Sequence, residues 1–501
     1  MIRGPRIGFL DAVERLGNRL PDPITLFASL TLVVIAASAI CARLGVGVPH
    51  PTDGSVIAAV DLANAAGFRR LFLEAVRNFT GFAPLGAVLV AMLGIGVAEA
   101  SGLVQAMLRA AVAWVPRAAV TWALIFVGVN ANVASDAGLL VLPPIGALLF
   151  ASMGRHPLAG LAAAFGGVAA GFSANLFPTT LDVLLAGFTR EAVTASHLAP
   201  DYSVQILGNW YFLAAATPLL TGVGVVLTHR VVEPRLGPWE GTPEAIAPLT
   251  AEERRGLWAA GLAGAAVAGL AIAAASGPLR DPAPSLVDAL APFFQSLIVW
   301  ILLLFLVPGI AFGIGAGTIK SDRDVARMAG KAMSNLGPYI ALAFVAAQFI
   351  ATFGWSNLGA IVAVSGAEGL QQLGLQGAPL LVGLILLTSF LDLFLASATA
   401  KWAVLAPVIV PMFVLLGLTP EATQVAYRIG DSCTNVITPF MPYLPYLLTI
   451  ARRYDPKAGT GTMVALMLPY TLSFGVAWTA LLLVFYALDL PIGPGVGFWM
   501  P

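Results

Sequence analysis

The chain has 501 residues, 58% of them hydrophobic and 10% charged, with a mean hydropathy of +0.88. Soluble domains carry about 25% charged residues, so this composition excludes an ordinary soluble enzyme or binding module and describes an all-α polytopic membrane protein. Lys and Arg together number 26, as do Asp and Glu, so nothing in the charge favours nucleic acid.

The two cysteines, Cys41 and Cys433, lie in apolar surroundings and do not form a disulfide framework. Residues 4–20 interleave Ile7, Phe9, Leu10, Val13, Leu16 and Leu20 with Arg6, Asp11, Glu14, Arg15 and Arg19, the pattern of an interfacial amphipathic helix over 1–23. Ala37-Ser38-Ala39 resembles a cleavage site, but the acids upstream do not suit a short basic leader, so Ile24 to Leu44 is expected as a retained first span. A polar connection with Asp53, Asp61, Arg69 and Arg70 leads to a span near 81–100.

Residues 118–153 depart from the spanning pattern. Two apolar arms flank Asn130, Asn132, Ser135 and Asp136, and each arm is shorter than the roughly 20 residues a crossing needs. A re-entrant hairpin or buried segment fits that length. The segment at 157–188 is interrupted by Ser173-Ala-Asn175-Leu-Phe-Pro178-Thr-Thr180, with Asp182 beyond. Spans near 208–229, 256–276, 293–316 and 336–354 follow, with charged loops at 230–255 and 318–331. A second hairpin is expected at 378–416, a second broken helix at 420–451, and a last span near 462–488.

The halves repeat. Gly154-x-x-Pro157 recurs as Gly417-x-x-Pro420, an offset of 263; Ser135 at the first tip matches Thr399, an offset of 264; Asn175 matches Asn435, an offset of 260. The expected organisation is a first half over 24–230, a cytoplasmic loop at 231–255 and a second half over 256–501. With a cytoplasmic N-terminus and hairpins that do not cross, Arg155, Arg230, Arg235, Arg254, Arg255, Lys320 to Lys331 and Arg452 to Lys457 are cytoplasmic. The two hairpins then open to opposite sides, as an inverted repeat requires.

The chemistry concentrates in 392–435. Charged residues inside a membrane segment are costly and by default mark a transport path. Arg428 and Asp431 are three apart and share a helix face: either Arg428 binds a substrate carboxylate and Asp431 a cation or proton, or the two brace the broken helix as an ion pair. Ser173, Asn175, Ser432, Thr434 and Asn435 either ligate a hard cation with unwound carbonyls or satisfy freed backbone groups. Asp182 is either a proton carrier or an acid at the start of the next half-helix; Asp136 and Asp392 stand at the two tips. Lys401 pairs with one of these acids or snorkels, and Trp402 either stacks on an aromatic ligand or packs. A sodium ion near Asp392, Asp431 and Asn435 is a candidate. There is no phosphate-binding loop, His50, His156, His197 and His229 have no metal spacing, and no nucleophile and base stand together, so an enzyme is disfavoured.

At these motifs the sequence resembles the AbgT family of bacterial transporters. The matching stretches are Glu14 to Pro23, Val129 to Gly138, Gly154 to Gly160, Ser173 to Leu176, Ala400 to Ala403, and Arg428 to Asp431 with Asn435 to Pro439. The resemblance implies a homodimer of nine-span protomers with two re-entrant hairpins in the inner membrane. It also implies transport of p-aminobenzoyl-glutamate or related p-aminobenzoate compounds, with some members resembling proton-driven sulfonamide exporters. It points to Asp182, Thr399, Trp402, Pro420, Arg428, Asp431 and Pro439 as transport residues. Three departures stand out: Asp392 where the family's cation site leads one to expect Asn, Thr399 in place of Ser, and Cys433 in place of a hydroxyl residue.

The expected function is secondary active transport, elevator-like, coupled to a proton or sodium gradient and needing no cofactor. A dicarboxylate importer and an ion channel are the alternatives.

Overall fold

The computed structural model describes residues 23–49, 54–113, 116, 119–131, 137–241, 249–282, 289–290, 292–293, 296–395, 397–438, 441 and 443–501. The expected N-terminal amphipathic helix, Asn132, Ser135, Asp136 and Pro439 lie outside the described residues. Among the described residues the regular secondary structure is helical apart from one short antiparallel ribbon and isolated bridges.

Helix α1 (Pro23–Arg43) leads into strands β1 (Gly47–Pro49) and β2 (Val56–Ala58), which pair Val48 with Ile57. Where the sequence suggests only a polar connection, α2 (Ala65–Thr80) forms. Asn64 caps it by accepting from the Gly67 N–H at 2.9 Å, and Phe68, Phe72 and Val76 recur every fourth residue on its exposed face. Then come α3 (Ala83–Ser101), α4 (Leu103–Ala113), α5 (Val120–Asn130) and α6 (Ala137–Ser152). Helix α7 (Pro157–Phe165) runs on through a π turn at Gly166–Ala170; 171–179 are non-helical, and α8 (Thr180–Ser196) follows. Helix α9 (Trp210–Leu227) passes through a second π turn into the short α10 (Glu233–Leu236).

The second half holds α11 (Ala251–Ser276), α12 (Leu297–Ala316), α13 (Asp322–Asn335), α14 (Gly337–Trp355), α15 (Leu358–Gln372), α16 (Ala378–Asp392), α17 (Ala398–Leu415), α18 (Pro420–Thr434), α19 (Leu444–Tyr454) and α20 (Thr460–Ala487). The charged loop expected at 318–331 is thus largely the capped helix α13, because Ser321 and Asp324 form a capping box.

Among the described residues, seven helices are long and apolar enough to cross a bilayer: Ile24–Arg43, Trp210–Leu236, Ala251–Ser276, Leu297–Ala316, Gly337–Trp355, Ala398–Leu415 and Thr460–Ala487. Six coincide with expected spans, and the seventh is the longer arm of the second expected hairpin. On α11 large apolar side chains such as Leu262 and Ile272 are exposed, as a lipid-facing surface requires. Prolines stand inside α6, α9, α12, α17 and α20, which buried surroundings tolerate when neighbouring groups meet the freed carbonyls.

The two Gly-x-x-Pro corners share one geometry. Gly154 and Gly417 adopt φ +71° and +84°, the left-handed region that favours glycine. The Arg155 N–H donates to Phe150 O at 2.8 Å, and the Leu418 N–H donates to Phe413 O at 3.0 Å. Both corners are helix-ending Schellman turns, and both following helices begin with a capping residue, His156 or Thr419, and a proline.

Close backbone approaches also recur. A Cβ on Gly160 would lie 2.1 Å from Gly146 O, and one on Gly430 would lie 1.9 Å from Thr388 Oγ1 and 2.4 Å from Ile385 O. Small residues therefore set the α6–α7 and α16–α18 contacts. Every residue of α18 is buried. Its Val425, Ile429 and Cys433 join one core cluster with α7 and α20, while Tyr427 joins a second with α8, α14 and α17. The chain's C-terminal segment closes over the start of α18: the Thr419 N–H donates to Phe498 O at 2.9 Å, and the Met500 N–H to Gly417 O at 2.8 Å.

Candidate functional site

Helix α18 and its C-cap residue Asn435 carry polar residues at 421, 424, 428, 431 and 435, a 3-4-3-4 spacing that places all five on one face. That face meets α8, α16 and α17, and the buried polar network of the protein forms there.

Arg428 and Asp431 do not pair with each other. Arg428 Nη1 donates to Asp182 Oδ1 at 2.6 Å. The other oxygen, Asp182 Oδ2, accepts from the Thr179 N–H at 2.6 Å and the Thr179 hydroxyl at 2.9 Å. Asp182 is therefore both the acid that caps α8 and the counter-ion of Arg428. The other two guanidinium nitrogens, Nε and Nη2, are buried with no partner among the described residues. Buried donors without partners are rare and call for an explanation.

Asp431 turns instead to Lys401, whose Nζ lies 2.8 Å from Asp431 Oδ1 and also bonds Asp392 Oδ1. Asp392 Oδ2 accepts from the Thr434 hydroxyl at 2.8 Å. The Tyr427 hydroxyl stands within reach of both Ala398 O and, at 3.1 Å, Asp431 Oδ1. These carboxylates and the ammonium are almost wholly inaccessible, with Lys401 1% exposed and Asp392 0%. All three ionised, they carry one net negative charge, and the Asp182–Arg428 pair carries none.

Trp402 is fully buried. Its ring lies against Tyr427 with centroids 4.4 Å apart, and its Nε1–H donates to the Thr189 hydroxyl at 2.9 Å. Thr189 in turn lies 2.8 Å from Gln424 Oε1. Thus Trp402 is packed in this conformation, with Tyr427 against its ring. Thr399, half-buried, lies 3.3 Å from the exposed Ser397 hydroxyl, so the start of α17 is the open side of the network. Pro420 occupies the first turn of α18, one residue past the Thr419 cap.

At the breaks, the Ser432 hydroxyl donates to Arg428 O at 2.7 Å and stands 3.2 Å from the Ser173 N–H, joining the two broken segments. Asn175 donates to Ser173 O at 3.2 Å. Ser173 Oγ and Asn175 Oδ1 are buried without partners among the described residues. The buried Asn435 ends α18, its N–H donating to Ser432 O at 3.3 Å. Asn130 accepts from the Leu176 N–H at 2.9 Å and Trp210 Nε1 donates to Leu176 O at 2.9 Å, so the first break is held from two neighbouring helices. Cys433 packs toward Gly475 of α20.

Four participants are not singled out by sequence reasoning: Glu421, Gln424, Tyr427 and Thr189. Glu421 is buried, accepting from the Tyr202 hydroxyl at 2.7 Å and the Gln205 N–H at 2.8 Å. The 3-4-3-4 spacing along α18 is the signal that points to Glu421 and Gln424; Thr189 has no comparable mark. A cavity of about 690 Å³ between α1, α2 and α14, lined by Ile35, Phe68, Phe72 and Trp355 among others, touches none of these groups.

Along nearly its whole length the chain is similar to known proteins. The family model described as "AbgT putative transporter family" matches residues 8–499. The p-aminobenzoyl-glutamate transport protein of Escherichia coli (strain K12) is 41% identical over 489 residues, 97% of this chain and 96% of that protein. The crystal structure of the Alcanivorax borkumensis YdaH transporter superposes with a TM-score of 0.89 at 40% identity, covering 95% of this chain and 100% of that one. The structure of Neisseria gonorrhoeae MtrF, described with a class of antimetabolite efflux pumps, gives 0.90 at 42% identity over 97% and 100% of the two chains. The chain is a helical membrane protein of the AbgT transporter family.

Proposed function

We propose that this protein is a secondary active transporter of p-aminobenzoyl-glutamate or related p-aminobenzoate compounds, with sulfonamides among its exported cargo. It works as a homodimer in the bacterial inner membrane with its N-terminus in the cytoplasm. Each protomer has nine spans and two opposed hairpins, and an elevator-like movement of these alternates access under a proton or sodium gradient.

The observation that carries this reading is Arg428: a guanidinium buried in the protein, one nitrogen on Asp182 and two nitrogens without partners among the described residues. A planar guanidinium with free N–H groups suits a carboxylate, which it can grip through two parallel bonds. Tyr427, the residue before Arg428, and Trp402, whose ring lies tilted against it, supply aromatic faces for a benzoyl ring once the packing opens. The p-aminobenzoyl-glutamate for which the E. coli relative is named has both features, an aromatic ring and the carboxylates of its glutamate.

The test is uptake of labelled p-aminobenzoyl-glutamate, p-aminobenzoate and a sulfonamide into proteoliposomes under imposed proton and sodium gradients. Flux should follow a gradient and collapse in Arg428→Lys, which keeps the charge but not the two-pronged grip. Absence of flux for all three under either gradient would remove the substrate assignment and turn attention to dicarboxylates, which Arg428 would also suit.

A further inference from the structure

Lys401 stands in the first turn of α17, one residue before Trp402, and its side chain is 1% exposed. Its ammonium bonds Asp392, the last residue of α16, and lies 2.8 Å from Asp431 of α18. The Thr434 hydroxyl completes the Asp392 carboxylate at 2.8 Å, and the Tyr427 hydroxyl lies 3.1 Å from Asp431 Oδ1. Arg428, one turn before Asp431, is committed to Asp182. Among the described residues, no other cation pairs with either carboxylate.

Two carboxylates from separate helices, with hydroxyls alongside, are the oxygen ligands a hard cation prefers. The sequence resemblance places a cation near Asp392, yet the residues present do not fit one beside Lys401. Any sodium ion bonded to the facing carboxylate oxygens would share them with the ammonium at contact distance. Like charges that close in a dry site repel strongly. Among the described residues no group of three His, Cys, Asp or Glu side chains gathers to outweigh that repulsion.

We propose that Lys401 is a tethered cation: its ammonium fills the position between Asp392 and Asp431 that a sodium ion would otherwise take. The intact protein therefore binds no sodium there, and removing the ammonium creates a sodium site. The inference bears on coupling only through the transport reading above, from which it predicts sodium-independent flux; the binding itself requires no transport.

The experiment is thermal unfolding of the full-length protein in detergent at constant ionic strength, with choline chloride replaced stepwise by sodium chloride. The unaltered protein should show no change in Tm. Lys401→Met should gain a saturable rise of several degrees, as mass action requires of a ligand that binds the folded state alone. Saturable stabilisation of the unaltered protein by sodium, lost in Asp392→Asn, would overturn the proposal, and so would a folded Lys401→Met variant that ignores sodium. If Lys401→Met does not fold, binding of radioactive sodium to the unaltered protein decides: its absence upholds the proposal, and saturable binding lost in Asp392→Asn overturns it. Failure of every aminobenzoate to be transported would sink the transport reading while leaving the sodium result intact.

Discussion

Arg428 Nη1 and Asp182 Oδ1 meet at 2.6 Å across 246 positions of the chain, so the two broken helices share one buried ion pair. Asp182 also caps its own helix through Thr179. Cap and counter-ion are thus one group, and the start of α8 cannot move relative to α18 without exposing a guanidinium.

Asp182→Asn keeps an oxygen to accept from Thr179 but leaves Arg428 without a counter-charge. Removing one partner of a buried pair costs about 3–5 kcal/mol. The variant should unfold at markedly lower temperature in detergent and lose transport. Asp182→Asn combined with Arg428→Gln should recover part of the stability and none of the transport. Thermal unfolding and proteoliposome flux check both outcomes, and equal stability of the single and double variants would contradict the pairing.

Thr189 is expected to position Trp402 without touching the cargo. Thr189→Val leaves the indole N–H unpartnered in a buried site, a cost of about 1–3 kcal/mol. If that energy goes into misplacing the ring, KM should rise by up to about tenfold while kcat changes little, since 1.4 kcal/mol is a factor of ten. Thr189→Ser keeps the hydroxyl and should restore KM. A KM unchanged in Thr189→Val would show that the indole holds its place through Tyr427 alone.

The membrane architecture is legible from composition and apolar run length, because burial in lipid leaves those signals along the chain. The corners at Gly154 and Gly417 are legible too, since their left-handed geometry selects glycine and the next helix selects proline at its first turn. Helices α2 and α13 are not, because their charges resemble a loop when a span is sought. The pairing at the site is the larger gap. Arg428 and Asp431 are neighbours on one helix face, and that proximity suggests a pair. Their partners, Asp182 and Lys401, come from other helices, and periodicity within one helix carries no information about which neighbour docks against it.

Gly430→Ala tests the α16–α18 contact that brings Asp392 to Thr434. The added methyl would sit 1.9 Å from Thr388 Oγ1 and 2.4 Å from the Ile385 carbonyl, so backbone as well as side chain must move. Overpacking typically costs about 1–3 kcal/mol and occasionally more; with a main-chain oxygen in the way the upper end applies. Tm should fall and transport should fail. Gly475→Ala, whose methyl would meet Cys433 Cβ and Sγ at 3.9 Å, an ordinary contact, should be tolerated. Equal tolerance of both would mean that α16 and α18 are not packed this closely.

Tyr202 tests the clasp on the first turn of α18. Its hydroxyl donates to Glu421 Oε2 from the loop between α8 and α9, and burial together with Glu421 raises the phenol's pKa above its ordinary value. The phenol therefore stays protonated through the physiological range and remains a donor. Tyr202→Phe removes that donor while the Gln205 N–H and the Asn209 amide still hold the same turn, at Oε1 and at the Glu421 carbonyl. A buried carboxylate oxygen left unpartnered costs about 1–3 kcal/mol or more, so Tyr202→Phe should lower Tm by several degrees. Pairing it with Glu421→Gln should cost less than the sum of the two single changes, because the charge that needed the hydroxyl is gone. Strict additivity in this double-mutant cycle would show that the two side chains do not interact.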